Sequence, residues 1–498
     1  MPATDDLKLK TARTLKWNTI DRLSSQVLYA VTGIVLANVL SKEEFGLVGA
    51  VMVFQAFASL FVDSGFSGAL IQRKSPTDVD YSTVLYFNLG VSVAIYCLLW
   101  LVAPLIDSIF NAGGALVPLA RVMFLTFVIN ATAIVQTNRL MKQMDVRMIA
   151  VSNAVGLMVS GVTGIALALR GHGAWAVVWQ SIVLATVKSG LLWATSHWRP
   201  LATFSLTSLR SIFAVGAGIM TSSFLNTVFL NIYSFIIGTY YNLAHLGCYT
   251  QADKWSKMGV TSLSQTITAS FLPILSGCQD DRPHFHRMMA KTHRFTAYLA
   301  MPCLVLLVLL AEAIFHLLFG TKWDEAVPLF RLLALRGIFV VLTSLYTTQI
   351  TALGAARRLV EAEVVKDTLT VAAIIATIPF GITWLVGGQV IAAALCFIYS
   401  QWLVSRVTGY RLTEMLGEIA PHAAITLLSA CPAAAVAHCA PALPLMAGLT
   451  PMVSSLVLIA AIATTFTLPY LALNAMLHSR IQHEVLTYAL GRFLHKKQ

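Results

Sequence analysis

Pro118-Leu119-Ala120-Arg121 and Pro328-Leu329-Phe330-Arg331 open two long apolar runs, 210 residues apart. Each run is the fourth hydrophobic segment of a set of six, one set in each part of the chain. An arginine at the centre of an apolar helix costs about 2.5–3.5 kcal/mol on insertion scales. Two of them at matching places point to a duplicated unit with a polar interior.

The composition agrees with lipid as the solvent for most of the surface. Of 498 residues, 57% are hydrophobic and only 11% charged; soluble domains carry about 25%. The net charge is +12, but the basic residues lie in short connections between apolar runs. That distribution fits a membrane protein held by positive charge on its cytoplasmic side, and no nucleic-acid partner is expected. The seven cysteines have no metal or redox spacing and read as small buried hydrophobes. The charged N-terminus (Asp5, Asp6, Lys8, Lys10, Arg13, Lys16) has no short apolar region with a cleavage site behind it, so no cleavable signal peptide is expected.

About 20 apolar residues cross a bilayer as a helix. This ruler gives an all-α integral membrane protein with about fourteen segments: 17–40, 45–70, 82–110, 115–138, 148–170, 173–195, 211–239, 244–277, 294–319, 324–353, 364–385, 388–408, 419–441 and 449–477. With the N-terminus cytoplasmic, one side collects Arg73, Lys74, Arg139, Lys142, Arg147, Arg199, Arg210, Arg282, Arg287, Lys291, Arg357, Arg358 and Arg411, plus Arg480, Arg492, Lys496 and Lys497 of the tail. The other side holds little beyond Lys42, Arg170 and Lys322. The asymmetry predicts both termini in the cytoplasm.

Six segments return the chain to its starting side, so the repeat is expected to be parallel. The expected domains are an N-lobe over 1–205, a C-lobe over 206–412, and two additional helices with a tail over 413–498. A weaker echo joins segments one to two and seven to eight: Glu44-Phe45-Gly46 and His245-Leu246-Gly247.

Charges inside the apolar runs are the first pointer to function. Segment one carries Lys16, Asp21 and Arg22 in its cytoplasmic half, with Trp17 placed for an interfacial belt. Segment eight carries Asp253, Lys254 and Lys257; Asp253 and Lys257 share a face at i,i+4 and can pair. Segment four carries Arg121, and segment ten carries Arg331 and Arg336. For Arg121, Arg331 and Arg336 the alternative is snorkelling to the interface. Asp63, Asp107, Lys188 and Glu312 read as helix-end charges. The candidate set is mainly basic: Arg22, Arg121, Lys254, Lys257, Arg331 and Arg336. A cationic cleft suits an anionic substrate, with arginine offering bidentate contacts to phosphate and lysine a point charge.

No GxxxxGK[ST], HExxH or CxxC is present, so no P-loop nucleotide site, metal or other cofactor is implied. Asp78-Val79-Asp80 is formally a metal-type DxD but reads as a short loop. His284, His286 and His293 read as solvated residues of one cytoplasmic loop rather than metal ligands.

Several stretches carry a resemblance. They are Gly65-Phe66-Ser67-Gly68-Ala69-Leu70-Ile71-Gln72-Arg73, Gly173-Ala174-Trp175-Ala176, Leu246-Gly247-Cys248-Tyr249-Thr250-Gln251-Ala252, Phe319-Gly320-Thr321-Lys322-Trp323, and Ala352-Leu353-Gly354 with Arg357. In this order and spacing the chain, from about residue 10 to 410, resembles the Wzx-type polysaccharide flippases and exporters of the MATE/MOP superfamily, particularly the colanic acid exporter group. The resemblance implies two six-helix lobes around a cavity with alternating access, in the bacterial inner membrane. It implies an undecaprenyl-diphosphate-linked oligosaccharide, for lipopolysaccharide or exopolysaccharide, flipped to the outer leaflet with ion coupling. The implied partners are that lipid-linked oligosaccharide, membrane lipids, and the polysaccharide polymerase and export machinery. The basic candidates fit the diphosphate. One departure stands out: many relatives carry an Asp in segment seven where this chain has Tyr233.

Two other readings compete. A MATE-like cation-coupled drug antiporter would use carboxylates, with Asp21, Asp63 or Asp253 as ion-coupling candidates; the basic inventory counts against it. A membrane polysaccharide polymerase or ligase would need a large external loop, and the outer connections are short. The protein is therefore expected not to be an enzyme.

Overall fold

The structure is a computed structural model describing residues 2–63, 70, 73, 75–439, 450–477 and 481–482; the side chains of residues 2–12, 15, 61–63, 212 and 214–222 are outside the described set. Most of the Gly65–Arg73 stretch and the basic tail residues Arg480, Arg492, Lys496 and Lys497 lie outside it. Among the described residues every regular element is helical: α1 Pro2–Val39, α2 Lys42–Asp63, α3 Asp78–Ile109, α4 Leu116–Met123, α5 Leu125–Lys142, α6 Val146–Leu169, α7 Trp175–Thr195, α8 Leu206–Ile236, α9 Leu243–Ser276, α10 Arg282–Phe319, α11 Ala326–Ala352, α12 Ala356–Thr377, α13 Ile382–Thr408, α14 Leu412–Cys439 and α15 Pro451–Met476. Among the described residues ten spans are long and apolar enough to cross a membrane, with α4 and α5 counting as one, Leu116–Lys142. Helices satisfy every backbone group internally, as hydrocarbon demands. The chain is a multi-pass membrane protein.

Three local readings change. The fourth segment, expected to be one helix, is interrupted at Phe124 between α4 and α5. Asp78-Val79-Asp80 is not a loop but the first turn of α3. The three histidines belong to α10, which starts about three turns before its apolar run. Lys, Arg and Glu are good helix formers, so charged sequence extends a helix past the point where hydropathy stops.

Asp80 shows why the DxD is structural. Its carboxylate, 1% exposed, accepts from the Thr77 amide at 2.9 Å and the Ser208 hydroxyl at 2.6 Å, and pairs with Arg73 at 3.2 Å. Thr77 returns the bond as a capping box. Asp78 accepts from the Trp198 indole at 3.0 Å. Asp107 is likewise occupied at a helix end, accepting from the Gly114 and Leu116 amides at 2.7 and 2.9 Å.

The chain separates into two compact units, Met1–Thr250 and Gln251–Gln498. In the first, α6 presents a face of small residues. A Cβ on Gly161 would sit 2.8 Å from Thr32 Oγ1 of α1, and one on Gly164 would sit 3.1 Å from Gln180 Cβ of α7. Close backbone packing of this kind holds helices together in lipid, where water gives no drive. The ring of Phe235 on α8 packs edge-on against Phe54 of α2 and Phe110 after α3. The two echo sequences also meet here. A Cβ on Gly46 would lie 1.9 Å from Leu243 O, and one on Gly247 would lie 2.0 Å from Lys42 O. Backbone touches backbone, which only glycine permits.

In the second unit, Val260 and Ile267 of α9 pack with Ala297, Ala300 and Leu304 of α10 and Val341, Leu342 and Leu345 of α11. The appended helices dock on α10 through Leu310, Ala433, Ile462 and Phe466. The Tyr470 hydroxyl adds a bond to Tyr298 O at 2.8 Å.

Candidate functional site

The predicted charges fall into paired and unpaired groups. On α9, Lys257 Nζ lies 2.6 Å from Asp253 Oδ2, the expected i,i+4 pair, with the carboxylate side 14% exposed and the lysine 46%. Lys254 is exposed and sits 5.5 Å from the Trp255 ring centroid, within cation–π range. Trp255 is itself held: its indole donates to Gln251 Oε1 at 3.2 Å, and its ring lies 5.4 Å from Phe319.

Arg336 of α11 is half-buried and has no ion-pair or hydrogen-bond partner among the described residues. Its neighbour Gly337 fixes where it sits. A Cβ there would lie 2.3 Å from Val260 Cγ2, so α9 and α11 approach closely at this level. Val260 is one turn beyond Lys257. Lys257 and Arg336 therefore lie near one helix crossing, and Asp253 is paired with Lys257.

The matched arginines behave alike. Each is the sixth residue of its helix, α4 or α11, and each reaches back to the helix before. The Arg121 guanidinium lies 3.9 Å over the Trp100 ring, and its Nε donates to Trp100 O at 3.3 Å. Arg331 pairs with Glu312 at 2.9 Å. On α1, Arg22 is exposed and unpartnered among the described residues. Asp21 is turned to α6: Asn153 Nδ2 donates to its Oδ1 at 3.0 Å and to Ser25 Oγ at 3.0 Å. Asp63 ends α2, and its side chain is outside the described residues.

Residues 35–328 match a family described as polysaccharide biosynthesis protein. The chain belongs to this family. Its relatives include the teichuronic acid biosynthesis protein TuaB of Bacillus subtilis (26% identical; 66% of this chain, 68% of TuaB) and the succinoglycan biosynthesis transport protein ExoT of Rhizobium meliloti (26%; 65% of each). A third is the lipopolysaccharide biosynthesis protein WzxC of Escherichia coli (24%; 67% of this chain, 68% of WzxC). The chain spans about two-thirds of these relatives, and just under two-thirds of ExoT. Among solved structures, the lipid II flippase MurJ in an inward closed conformation matches with TM-score 0.69 at 13% identity, over 92% of this chain and 99% of that one. An inward-facing multidrug resistance MATE family transporter of the MOP superfamily matches with TM-score 0.61 at 16% identity, over 77% and 95%. The fold is that of the MurJ and MATE transporters.

Two groups of polar residues escaped the sequence reading. The first turns of α12 carry an exposed network: Arg358 pairs with Glu361 at 2.6 Å, Tyr399 of α13 donates to Glu361 at 2.6 Å, and Lys366 bonds Glu363. These residues lie before and at the start of the apolar run used to place the segment. The second group is buried and neutral. Asn88 and Gln136, 1% and 0% exposed, leave both polar atoms of each amide without a partner, and His293, Tyr346 and Gln349 are fully buried together. A scan for intramembrane charge passes over such residues.

Proposed function

We propose that the protein flips an undecaprenyl-diphosphate-linked oligosaccharide across the bacterial inner membrane by alternating access. Membership of a polysaccharide biosynthesis family and the MurJ-like fold support this reading. What carries it toward an anionic head group is the basic excess near the α9–α11 crossing: Lys254 is exposed, Arg336 has no partner among the described residues, and Lys257 is paired with Asp253. In this reading the diphosphate takes charge-assisted bonds from these residues, Arg22 of the first unit is tested alongside them, and no bond of the substrate is made or broken. A cationic drug would find the wrong sign there. The working lobes are 1–205 and 206–412, each with the arginine-bearing fourth segment, and 413–498 is an addition. Both termini face the cytoplasm. Polymerase or export machinery takes the glycan on the outer side.

The test uses purified protein in proteoliposomes with a fluorescent polyprenyl-diphosphate oligosaccharide. The expected result is protein-dependent movement between leaflets, lost when Arg22, Lys254, Lys257 and Arg336 are all replaced by Gln. Wild-type rates in that variant would remove the cationic site. Transport of small cationic drugs without movement of the glycan would replace the proposal with the antiporter reading.

A further inference from the structure

The two helices that meet at Gly337 carry more than cations. On α9, Lys254, Lys257, Thr261, Ser264, Gln265 and Thr268 recur at intervals of three and four residues, so they share one stripe of the helix. Another face of α9, with Val260, Leu263 and Ile267, packs on α10 and α11. On α11, Arg336, Thr343, Thr347 and Thr351 follow at intervals of seven, four and four and share a stripe in the same way. Each stripe starts at a cation and continues through hydroxyl or amide side chains toward the helix C-terminus.

The two helices run side by side in the same direction. A Cβ on Gly337 would lie 2.3 Å from Val260 Cγ2. Further along both helices, Thr268 Oγ1 lies 3.3 Å from Thr348 Oγ1. On α9 the stripe is turned about 50° from these contacts, and on α11 about 100° in the opposite rotational sense, at 100° per residue. For two helices running the same way, opposite senses put both stripes on one side of the pair.

That side is polar at membrane depth. α9 has 34 residues, about 51 Å at 1.5 Å per residue. A hydrocarbon core of about 30 Å centred on it takes in all of 254–268. Polar side chains at such depth face a bundle interior or a water-filled cavity rather than lipid. Thr261 and Gln265 are exposed, and Thr343 and Thr347 are half-buried. Thr261, Gln265 and Thr343 have no partner among the described residues, and the Ser264 hydroxyl is buried without one. Thr347 donates to Ser344 O at 2.9 Å and keeps its own oxygen as an acceptor.

The chemistry of this face selects an occupant. A prenyl chain has nothing to bond there. A cationic drug would need carboxylates, and past Asp253 neither stripe has one. A saccharide presents hydroxyls that donate and accept, which is what threonine, serine and glutamine side chains match. In a lipid-linked glycan the sugars follow the diphosphate, as these stripes follow the cations.

We infer that the shared face of α9 and α11 is a saccharide subsite, where Thr261, Gln265, Thr343 and Thr347 bond sugar hydroxyls and the glycan lies along the helices away from Lys257 and Arg336. The inference rests on the lipid-linked glycan reading and adds where the glycan lies. It also makes the number of sugars matter. Thr347 is 11 residues from Arg336, about 17 Å along the axis, farther than one sugar ring reaches.

The test is equilibrium binding by calorimetry, with the full chain in lipid nanodiscs. The two probes are farnesyl diphosphate carrying one hexose and farnesyl diphosphate carrying a linear tetrasaccharide. The wild type is expected to hold the tetrasaccharide probe about tenfold more tightly. The variant T261V/Q265L/T343V/T347V keeps side-chain shape and loses the bonds. It should weaken the tetrasaccharide probe about tenfold and the monosaccharide probe less than about threefold. T261S/T343S keeps both hydroxyls and should bind both probes as the wild type does. If the fourfold variant is not recovered folded, T343V/T347V carries the comparison, with a loss of about threefold for the tetrasaccharide probe and none for the other. Equal affinity of the wild type for the two probes, or an equal loss for both in the valine variants, overturns the subsite and leaves the flippase reading standing. Binding of neither probe by the wild type removes the flippase reading and the subsite with it.

Discussion

Arg331 and Arg336 are five residues apart on α11, yet one is bonded and the other is not. Arg331 is tied to Glu312 in an exposed pair, and such pairs contribute about 0–1 kcal/mol. Arg336 has no partner among the described residues, and in the proposed function its charge meets the substrate head group. R336Q should weaken apparent affinity for the lipid-linked glycan about ten- to a hundredfold, the equivalent of one charge-assisted contact of about 1.5–3 kcal/mol. R331Q should change it less than about fivefold. Initial flipping rates against probe concentration in vesicles measure both. Asn153 gives a second case. It joins Asp21 and Ser25 of α1 to α6, and N153L leaves the carboxylate with only the long bond from the Ser25 hydroxyl, 3.4 Å. The expected cost is about 1–3 kcal/mol, seen as a lower thermal midpoint in detergent. The Asp253–Lys257 pair was legible because its members are one turn apart. The Asn153–Asp21 bond was not, because 132 residues separate its ends and nothing local marks either partner.

At the scale of the element, the apolar runs located the helices but not their ends. α10 begins at Arg282 and α12 at Ala356, earlier than hydropathy placed them, because the charged turns before each run are good helix sequence. That error hid His293, which sequence put in a loop and packing puts at the centre of a helix pair. The motif glycines tell the opposite story. Gly46 and Gly247 stood out as an echo between two joins, and the structure supplies the reason, since each touches the other join's backbone. G46A should lower the thermal midpoint, because a carbonyl 1.9 Å from the new Cβ has to move; overpacking of this kind costs about 1–3 kcal/mol. Gly90 is the control. A Cβ there meets nothing within 4 Å, so G90A should leave the midpoint unchanged or raise it slightly. Equal losses from the two would mean that the Gly46 contact does not hold α2 in place.

For the whole molecule, the alternation of apolar runs with basic connections made the membrane class and helical fold readable. The sidedness follows from the same charges and is testable through α10. This helix has 38 residues, about 57 Å at 1.5 Å per residue, against a hydrocarbon core of about 30 Å. Its ends must therefore emerge on opposite faces. Arg282, Arg287 and Lys291 crowd the first end, whereas Lys322 stands almost alone beyond the second. Positive charge is retained on the cytoplasmic side, so the first end is expected inside. Asp280 and Asp324 flank the helix and are exposed. Asp324 accepts from His316 at 2.9 Å, and an exposed pair of this kind can be lost at little cost. With the native cysteines replaced, D324C should react with a membrane-impermeant maleimide in spheroplasts, and D280C should react only after the membrane is opened. Reaction of D280C alone in sealed spheroplasts would invert the topology.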